Sequence, residues 1–420
     1  MNKSKKIFFL KKSIFLFLIL FTVNSYSQTN TSGFPFMLPK EKPNRKLSLA
    51  MERLYDNYPA PKPEDNELFS QFKYTEIKGF DYNNHDGKIS RRDPSKIIFH
   101  NGKYYVWYTY RNTATPPQGA DKSSETIPSS DWDLAEIWYA TSSDGFNWKE
   151  IGVAVKRPQK PFIGWRAVTT PDILVWKGKF YLYYQGFMEA SGKRGDDCPV
   201  AVSYSDSPDG PWVAHNKIVI PNGAKNEWDQ FSIHDPYPLV YKGKIYLYYK
   251  SDTGIAPHWV RMQGLATAEN PLGPFTKNVL NPVISSGHET SLFPFKNGIA
   301  ALVYKDGNEH NTVQFAEDGV NFNIAAITEL MPYAAAPFVP DAFTDTKDGR
   351  GISWGLSHFI NQGEKGKNHS IMVRFDCDLS QDLNDPEMKE HRVNHAVDVY
   401  LKQGLSNKQK QRIQQENKTQ

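Results

Sequence analysis

Two proton-carrying side chains stand side by side in the stretch SSGHETSLFPF, where His288 and Glu289 follow small residues and precede an apolar run. Imidazole titrates near neutral pH and a carboxylate beside it moves that point, so such a pair can hold and hand over a proton. Taken alone, it reads more readily as a local loop hydrogen bond. Other acids recur in similar settings. Asp93 in RRDP, Asp172 in TPDI and Asp235 in HDPY each adjoin a proline. One aspartate beside a proline is ordinarily a turn residue; three of them together with Glu289 point to a shared cavity. Asp341 in VPDA continues the series, either as a turn cap or as a further acid. Converging carboxylates suit glycoside hydrolysis, where one group protonates the leaving oxygen and another activates water or attacks the anomeric carbon. Crowding pushes their pKa values apart, which keeps one acid protonated near neutral pH. His288 is an alternative proton donor. Asp172, Thr170, Arg166, Trp165, Trp138 and His234 are candidates for substrate contact, and Trp259 is a further candidate platform. Indole faces stack on sugar rings, although aromatics inside strands are generally core. His358 in GLSHF either reaches the same cavity to hold an ion or a water, or makes a core hydrogen bond.

The elements that must position these residues repeat along the chain. DPSKIIFHNGKYYVWYTYR, TPDILVWKGKFYLYYQGF, HDPYPLVYKGKIYLYYKSD, HETSLFPFKNGIAALVYKDG and VPDAFTDTKDGRGISWGLSHF share one plan. An acid opens a short apolar strand, a glycine-containing turn follows, and a β-branched or aromatic strand comes next. The expected turns are Asn101-Gly102, Lys177-Gly178, Lys242-Gly243, Asn297-Gly298 and Asp348-Gly349. Such dipeptides between alternating segments read as hairpins. Four repeats run on into a third strand and a further turn, as in IWYATSSDGFNWKEIG. The opening acids lie 79, 63, 54 and 52 residues apart. That spacing fits propeller blades of about 40 to 50 residues with loop insertions. The reading is an all-β, five-bladed propeller over residues 81–395, with the opening acid of each innermost strand facing one central channel. The segment Thr113–Ser130 carries no periodicity and is expected as a loop that rims a pocket.

The flanks differ in kind. Five lysines precede the apolar run SIFLFLILFTV, and Ser25 and Ser27 form a small-residue cleavage site, so residues 1–27 read as a signal peptide cut before Gln28. The chain has 50 basic and 46 acidic residues; without those lysines the count is 45 against 46. This near-neutral balance offers no nucleic-acid or anionic-membrane footprint. An exported protein, periplasmic or secreted and not membrane-embedded, is expected. Cys198 and Cys377 are the two cysteines, able to pair in an oxidising compartment and too few for a cysteine-built zinc site. Residues 28–80 are expected as an N-terminal helical segment, with a stripe of Leu47, Leu49, Met51 and Leu54, proline breaks at Pro59, Pro61 and Pro63, and a second short helix from Asn66 to Phe72. Residues 396–420 form a polar C-terminal extension whose tip is expected to be disordered.

The combination SRRDPSKI, DLAEIWYATSSDG, TPDILVWKGKFYLYYQG, HDPYPLVYKGKIYLYYK and GHETSLFPF resembles glycoside hydrolase family 117, over about residues 48–400. The segment SLAMER is similar to the start of that family's dimerisation motif at Ser48, Ala50 and Arg53, with Asn57 in place of its closing glycine. The resemblance implies a five-bladed propeller that dimerises through its N-terminal helical segment. It also implies exo-acting, inverting release of terminal 3,6-anhydro-L-galactose from agar oligosaccharides such as neoagarobiose. Carried over, Asp93 is the implied general base, Asp235 the carboxylate that positions the sugar, His288 the general acid, and Glu289 the third acidic position. It requires no cofactor and is compatible with one divalent cation (Mg, Ca or Zn), for which no ligand set stands out. Two alternatives remain open on the residues. One is a different glycosidase on the same scaffold, such as a retaining α-L-arabinofuranosidase-like or β-xylosidase-like enzyme. The other is a non-catalytic carbohydrate-binding propeller.

Overall fold

The computed structural model describes residues 33–57, 66–192, 198–255 and 258–382. The expected signal peptide and C-terminal extension lie outside the described residues, as does the side chain of Trp259.

Hairpins build the molecule, and their turns explain why. Asn101-Gly102, Lys177-Gly178 and Lys242-Gly243 have paired positive φ values of 48° and 77°, 49° and 78°, and 49° and 72°. Two-residue turns of this handedness match the twist of antiparallel strands. The fourth turn falls one residue earlier than its sequence suggests. Phe295 pairs with Gly298, so Lys296 and Asn297 form the loop. Gly298 is needed inside the strand, because a Cβ there would lie 2.6 Å from the carbonyl oxygen of Ala316. The fifth expected turn is not a hairpin turn. The strand Ala336–Pro337 is separated from the long strand Gly349–Gln362 by residues 338–348, and Asp348-Gly349 merely leads into the latter.

Antiparallel sheets follow one another along the chain. Ile89–Arg92, Ile98–His100, Lys103–Asn112, Glu136–Ser142 and Trp148–Val155 form the first. Ala167–Trp176, Lys179–Phe187, Val200–Ser205 and Val213–Ala214 form the second, and His234–Tyr241, Lys244–Ile255, His258–Ala268 and Thr276–Lys277 the third. The last sheet has eight strands in two groups. Ser291–Lys296 to Asn323–Ile327 make one group, and Gly349–Gln362 and His369–Ser380 centre the other. The groups join only where Phe295 and Lys296 pair with Arg350 and Gly349. Apolar faces pack between neighbouring sheets, with Trp107, Tyr183, Tyr248 and Tyr249 wholly enclosed. Burying each such ring contributes on the order of 2–3 kcal/mol. Among the described residues, no helix is long and apolar enough to cross a membrane.

The N-terminal flank departs from expectation. Its helix spans only Leu49–Arg53, capped by Ser48, whose Oγ accepts from the Met51 N–H at 3.3 Å. It docks on its own chain. The Leu49 N–H donates to Asn321 Oδ1, and Arg53 donates to both carboxylate oxygens of Glu309 at 2.7 and 3.0 Å. The second expected helix is absent. Residues 66–72 run as turn and extended chain that buries Leu68 and Phe72, and lead into the strand Lys73–Glu76. That strand pairs with His369–Ser380, Tyr74 opposite Phe375. Alternation decides it: Phe72 and Tyr74 point inward while Lys73 is exposed, a period-2 pattern that suits a sheet edge. The boundary expected near residue 80 therefore cuts through a sheet. Cys198 and Cys377 are both buried and form no disulfide; the first lies near Gln185 Nε2, and the second donates to the Ile352 carbonyl.

Candidate active site

A cavity of about 40 Å³ is lined by Asp93-Pro94, Thr170-Pro171, Asp235-Pro236, Glu289-Thr290 and Ala334-Ala335. Four leading residues of these segments share an unusual backbone: φ is 48° at Asp93, 47° at Thr170, 49° at Asp235 and 46° at Ala334. Left-handed conformations cost a non-glycine residue about 1–2 kcal/mol and cluster at functional sites. The sheet registers also break between Thr169 and Asp172 and between His234 and Tyr237. A break of this kind re-aims side chains at a strand's start.

This geometry corrects the repeat alignment. Thr170, not Asp172, occupies the place of Asp93, because the shared residue is the one that precedes proline. Asp172 lies two residues further on; it lines the small axial cavity, as expected of it, but not the large pocket. Its carboxylate accepts the Lys96 N–H at 2.8 Å and forms a close buried ion pair with Lys96 Nζ, which rests 3.7 Å from the centre of the Tyr237 ring. Burial raises the Asp172 carboxyl and lowers the Lys96 ammonium to about 8, opposed by their mutual attraction. Asp341 is remote from the site, held by the backbone N–H and side chain of Arg350 at 2.8 and 3.2 Å. Ala334 stands in the corresponding place.

Above that cavity opens a pocket of about 380 Å³, lined among others by Asp93, Thr170, His234, Asp235, His288 and Glu289. Arg92 organises its floor. Its Nε donates to Asp93 Oδ2 at 2.8 Å, its Nη2 lies 3.5 Å from Glu289 Oε1, and its guanidinium covers Trp132 at 4.8 Å. The Asp93 N–H donates to His358 Nδ1 at 3.0 Å, which fixes the aspartate's backbone. Burial opposes a charge on Asp93, but Arg92, His358 and Lys250 together outweigh it, and the carboxyl falls below its usual range. Glu289 behaves oppositely. Burial and the neighbouring Asp93 push its carboxyl up to about 8 against the pull of Arg92. Two adjacent carboxylates thus differ, one ionised and one protonated at neutral pH. Asp235 forms an ion pair with Lys250 at 2.5 Å.

His288 is set by a glycine. Gly287 has φ 100°, and a Cβ there would meet Thr290 Oγ1 at 2.3 Å. The His288 N–H donates to the Tyr304 carbonyl at 2.7 Å. Its ring lies between two acids, Nε2 3.8 Å from Glu289 Oε1 and Nδ1 3.4 Å from Asp306 Oδ2. Burial, with Lys250 and Arg261 nearby, pushes the imidazole well below its ordinary value despite Asp306. That direction favours the neutral ring in the free protein.

A chain similar to this one has been solved as Zg3597, a family 117 glycoside hydrolase produced by the marine bacterium Zobellia galactanivorans. The two are 61% identical over 81% of this chain and 100% of that one, with a TM-score of 0.76. This chain belongs to glycoside hydrolase family 117. Residues 122–260 also match the model of glycosyl hydrolases family 43. A structure described as a glycoside hydrolase covers 79% of this chain and 96% of its own at 11% identity and TM-score 0.52. BT0996, solved as an RGII complex, covers 77% and 94% at 12% identity and TM-score 0.52. At those identities only the fold is shared. No protein of curated function matches the sequence.

The family 117 site gathers some expected residues and leaves others out. Asp93, Asp235, His288, Glu289, Thr170 and His234 line the pocket. Trp138 packs on Tyr110 at 4.2 Å in the core, and Trp165 lies under Lys160 Nζ at 4.0 Å; neither lines the pocket. Arg166 serves from behind. It binds Asp133 Oδ1 at 2.6 Å and the carbonyls of Ser124 and Ile127 at 2.6 and 3.3 Å, and so pins the long loop. That loop does rim the pocket, through Pro117 and Ser130. Reasoning from acids alone missed Arg92, Lys250, Gln185 and Trp132, which also line the pocket. A signal for two of them existed. The repeats FYLYYQ and IYLYYK share YLYY and then diverge at Gln185 and Lys250, and that residue faces the site.

Asp93, Glu289 and His358 bring ligand-type atoms within 4.8 Å of one another. They do not suit a divalent cation. His358 Nδ1 already accepts the Asp93 N–H, which places its proton on Nε2, and Arg92 already supplies positive charge to both carboxylates.

Proposed function

We propose that this chain is an exo-acting glycosidase that removes terminal α-1,3-linked 3,6-anhydro-L-galactose from neoagarobiose and longer neoagaro-oligosaccharides, with inversion. The observation that carries this reading is the convergence of an ionised Asp93, His288 and Glu289 in one small pocket of a family 117 chain. A pocket of about 380 Å³ lies at the low end of ligand sites, which favours a terminal sugar over the middle of a polymer. Its cations are matched, Arg92 by Asp93, Lys250 by Asp235 and Arg261 by Asp306, which favours a neutral substrate. The tandem antiparallel sheets and the five segments around the axial cavity support a five-bladed propeller. The protein acts after export, as a homodimer to which the N-terminal segment contributes.

In this mechanism Asp93 takes a proton from the attacking water, and its low pKa keeps it ready to do so. His288 delivers a proton to the leaving oxygen. Asp235, fixed by Lys250, orients sugar hydroxyls together with Thr170 and His234. The short Asp93–Glu289 separation supports giving the acid role to His288, because an inverting pair needs about 6.5–9.5 Å to admit water. The same separation favours a second reading. An ionised Asp93 as nucleophile and a protonated Glu289 as acid, with oxygens within 4.8 Å, fit a retaining enzyme on other α-L-glycosides.

Incubation with neoagarobiose, followed by ¹H NMR of the anomer released first, separates these. The expected result is 3,6-anhydro-L-galactose in inverted configuration, with activity reduced about 100- to 10,000-fold in Asp93→Asn. Cleavage of arabinofuranosides with retention would favour the second reading. Binding without cleavage of either would indicate a carbohydrate-binding propeller.

A further inference from the structure

A neutral His288 raises the question of where the leaving-group proton resides. Nδ1 faces Asp306 at 3.4 Å and Nε2 faces Glu289 at 3.8 Å. Asp306 does not line the pocket; it lies behind the ring, held by Arg261 Nη1 at 2.9 Å. The sequence signals none of this, since Asp306 lies in the turn after the strand Gly298–Val303, where an aspartate is unremarked.

We propose that Glu289, His288 and Asp306 form one proton-delivery line, in which Glu289 stores the proton, His288 passes it on and Asp306 holds the ring's tautomer and compensates its transient charge. This rests on His288 being the acid of the proposed reaction. Beyond the ring's own Nδ1 proton, the Glu289–His288 pair carries one more, on the Glu289 carboxyl. It moves from the Glu289 carboxyl to His288 Nε2 and leaves a carboxylate and an imidazolium. As the glycosidic C–O bond breaks, its electron pair passes to the leaving oxygen, which takes the Nε2 proton. Water bonds to the anomeric carbon and loses its proton to Asp93, and solvent then restores the pair. Asp306 is a positioning residue: in the free protein His288 Nδ1 makes no hydrogen bond, and the Asp306 carboxylate, 3.4 Å away, is the acceptor toward which the Nδ1 proton turns, which presents the Nε2 lone pair to Glu289. The groups facing the ring agree with this arrangement. Arg261 and Lys250 disfavour a permanent imidazolium, the rising charge on Glu289 favours a transient one, and the Tyr333 ring, 6.0 Å away, closes the remaining side.

Two measurements test it. In full-length wild-type protein, ¹⁵N NMR should show His288 neutral with its proton on Nδ1 from pH 6 to 8, while ¹³C NMR of Glu289 shows a titration near 8. An imidazolium at pH 7, or a proton on Nε2, would overturn the proposal without any need for substrate. In Asp306→Asn, kcat should fall about tenfold or more with KM little changed. The alkaline limb of the pH profile should move, and a nitrophenyl leaving group should restore the rate. An unmoved pH profile sinks the proposal. If His288→Gln itself retains full activity, the acid assignment fails instead, and the two failures are thereby distinguished.

Discussion

Glu289 is a carboxyl kept where its charge is unwelcome, and that has a consequence for stability. Its folded-state value is pushed from 4.5 up to about 8 by burial and by Asp93. A raised value means that the folded state holds the proton more tightly. The associated stability is complete below about pH 4.5 and is lost as pH climbs through about 8. Glu289→Gln removes this penalty. Thermal melts of the two proteins should nearly coincide at pH 5, and the variant should melt a few degrees higher at pH 9, as about 1–2 kcal/mol implies for a domain of this size. Parallel melting curves across that range would show that Glu289 is not strained by its site. The residue types were legible in the sequence, because a histidine beside a glutamate is visible wherever it stands. Their protonation was not, because it depends on Arg92, Lys250 and Asp306, which arrive from other sheets and turns.

At the scale of elements, the N-terminal helix is the case where local pattern and packing part. SLAMER reads as a helix and is one, but for five residues only. Ala50 and Met51 are buried against the same chain, and the Arg53–Glu309 pair is nearly sealed, with side-chain exposures of 6% and 10%. Breaking a buried pair typically costs about 3–5 kcal/mol, because the remaining charge is stranded. Arg53→Ala should therefore release this segment. Light scattering should show a shift from dimer to monomer if the segment holds the dimer, and a lower melting temperature in either case. Deleting residues 46–72 would be a poor substitute, since Leu68 and Phe72 belong to the core. The three glycine turns with paired positive φ were legible from dipeptides alone. The fourth was misread by one residue, because Gly298 serves a close strand contact that no local pattern records.

For the whole molecule, the strand Lys73–Glu76, which precedes the first sheet, pairs with the last long strand, so segments about three hundred residues apart share one sheet. A parallel bridge between Ile97 and Phe338 adds a second tie between the first sheet and the last. Such closure holds residues from distant repeats around one axis, which is why Asp93 and Glu289 meet across nearly two hundred residues. Export is a property at this scale too. The lysine-rich start, the apolar run and the Ser-Tyr-Ser site predict a mature N-terminus at Gln28. N-terminal sequencing of protein recovered outside the cytoplasm should read from that residue, and a first residue of Met1 would contradict the expectation.

The repeats, their alternation and their glycine turns were enough to establish an all-β chain of hairpins with acids at strand starts, because these are local signals that each segment carries by itself. The family resemblance was equally local, a matter of short motifs in order. Tertiary structure decided that Asp172 turns to the Lys96 of another sheet, while Thr170, at the place before proline, stands beside Asp93. It also decided that Trp138 and Trp165 are core and surface packing, and that Asp306 stands behind His288. Those outcomes depend on which side chains from different sheets come within about 4 Å of each other, and no single segment encodes such a distance.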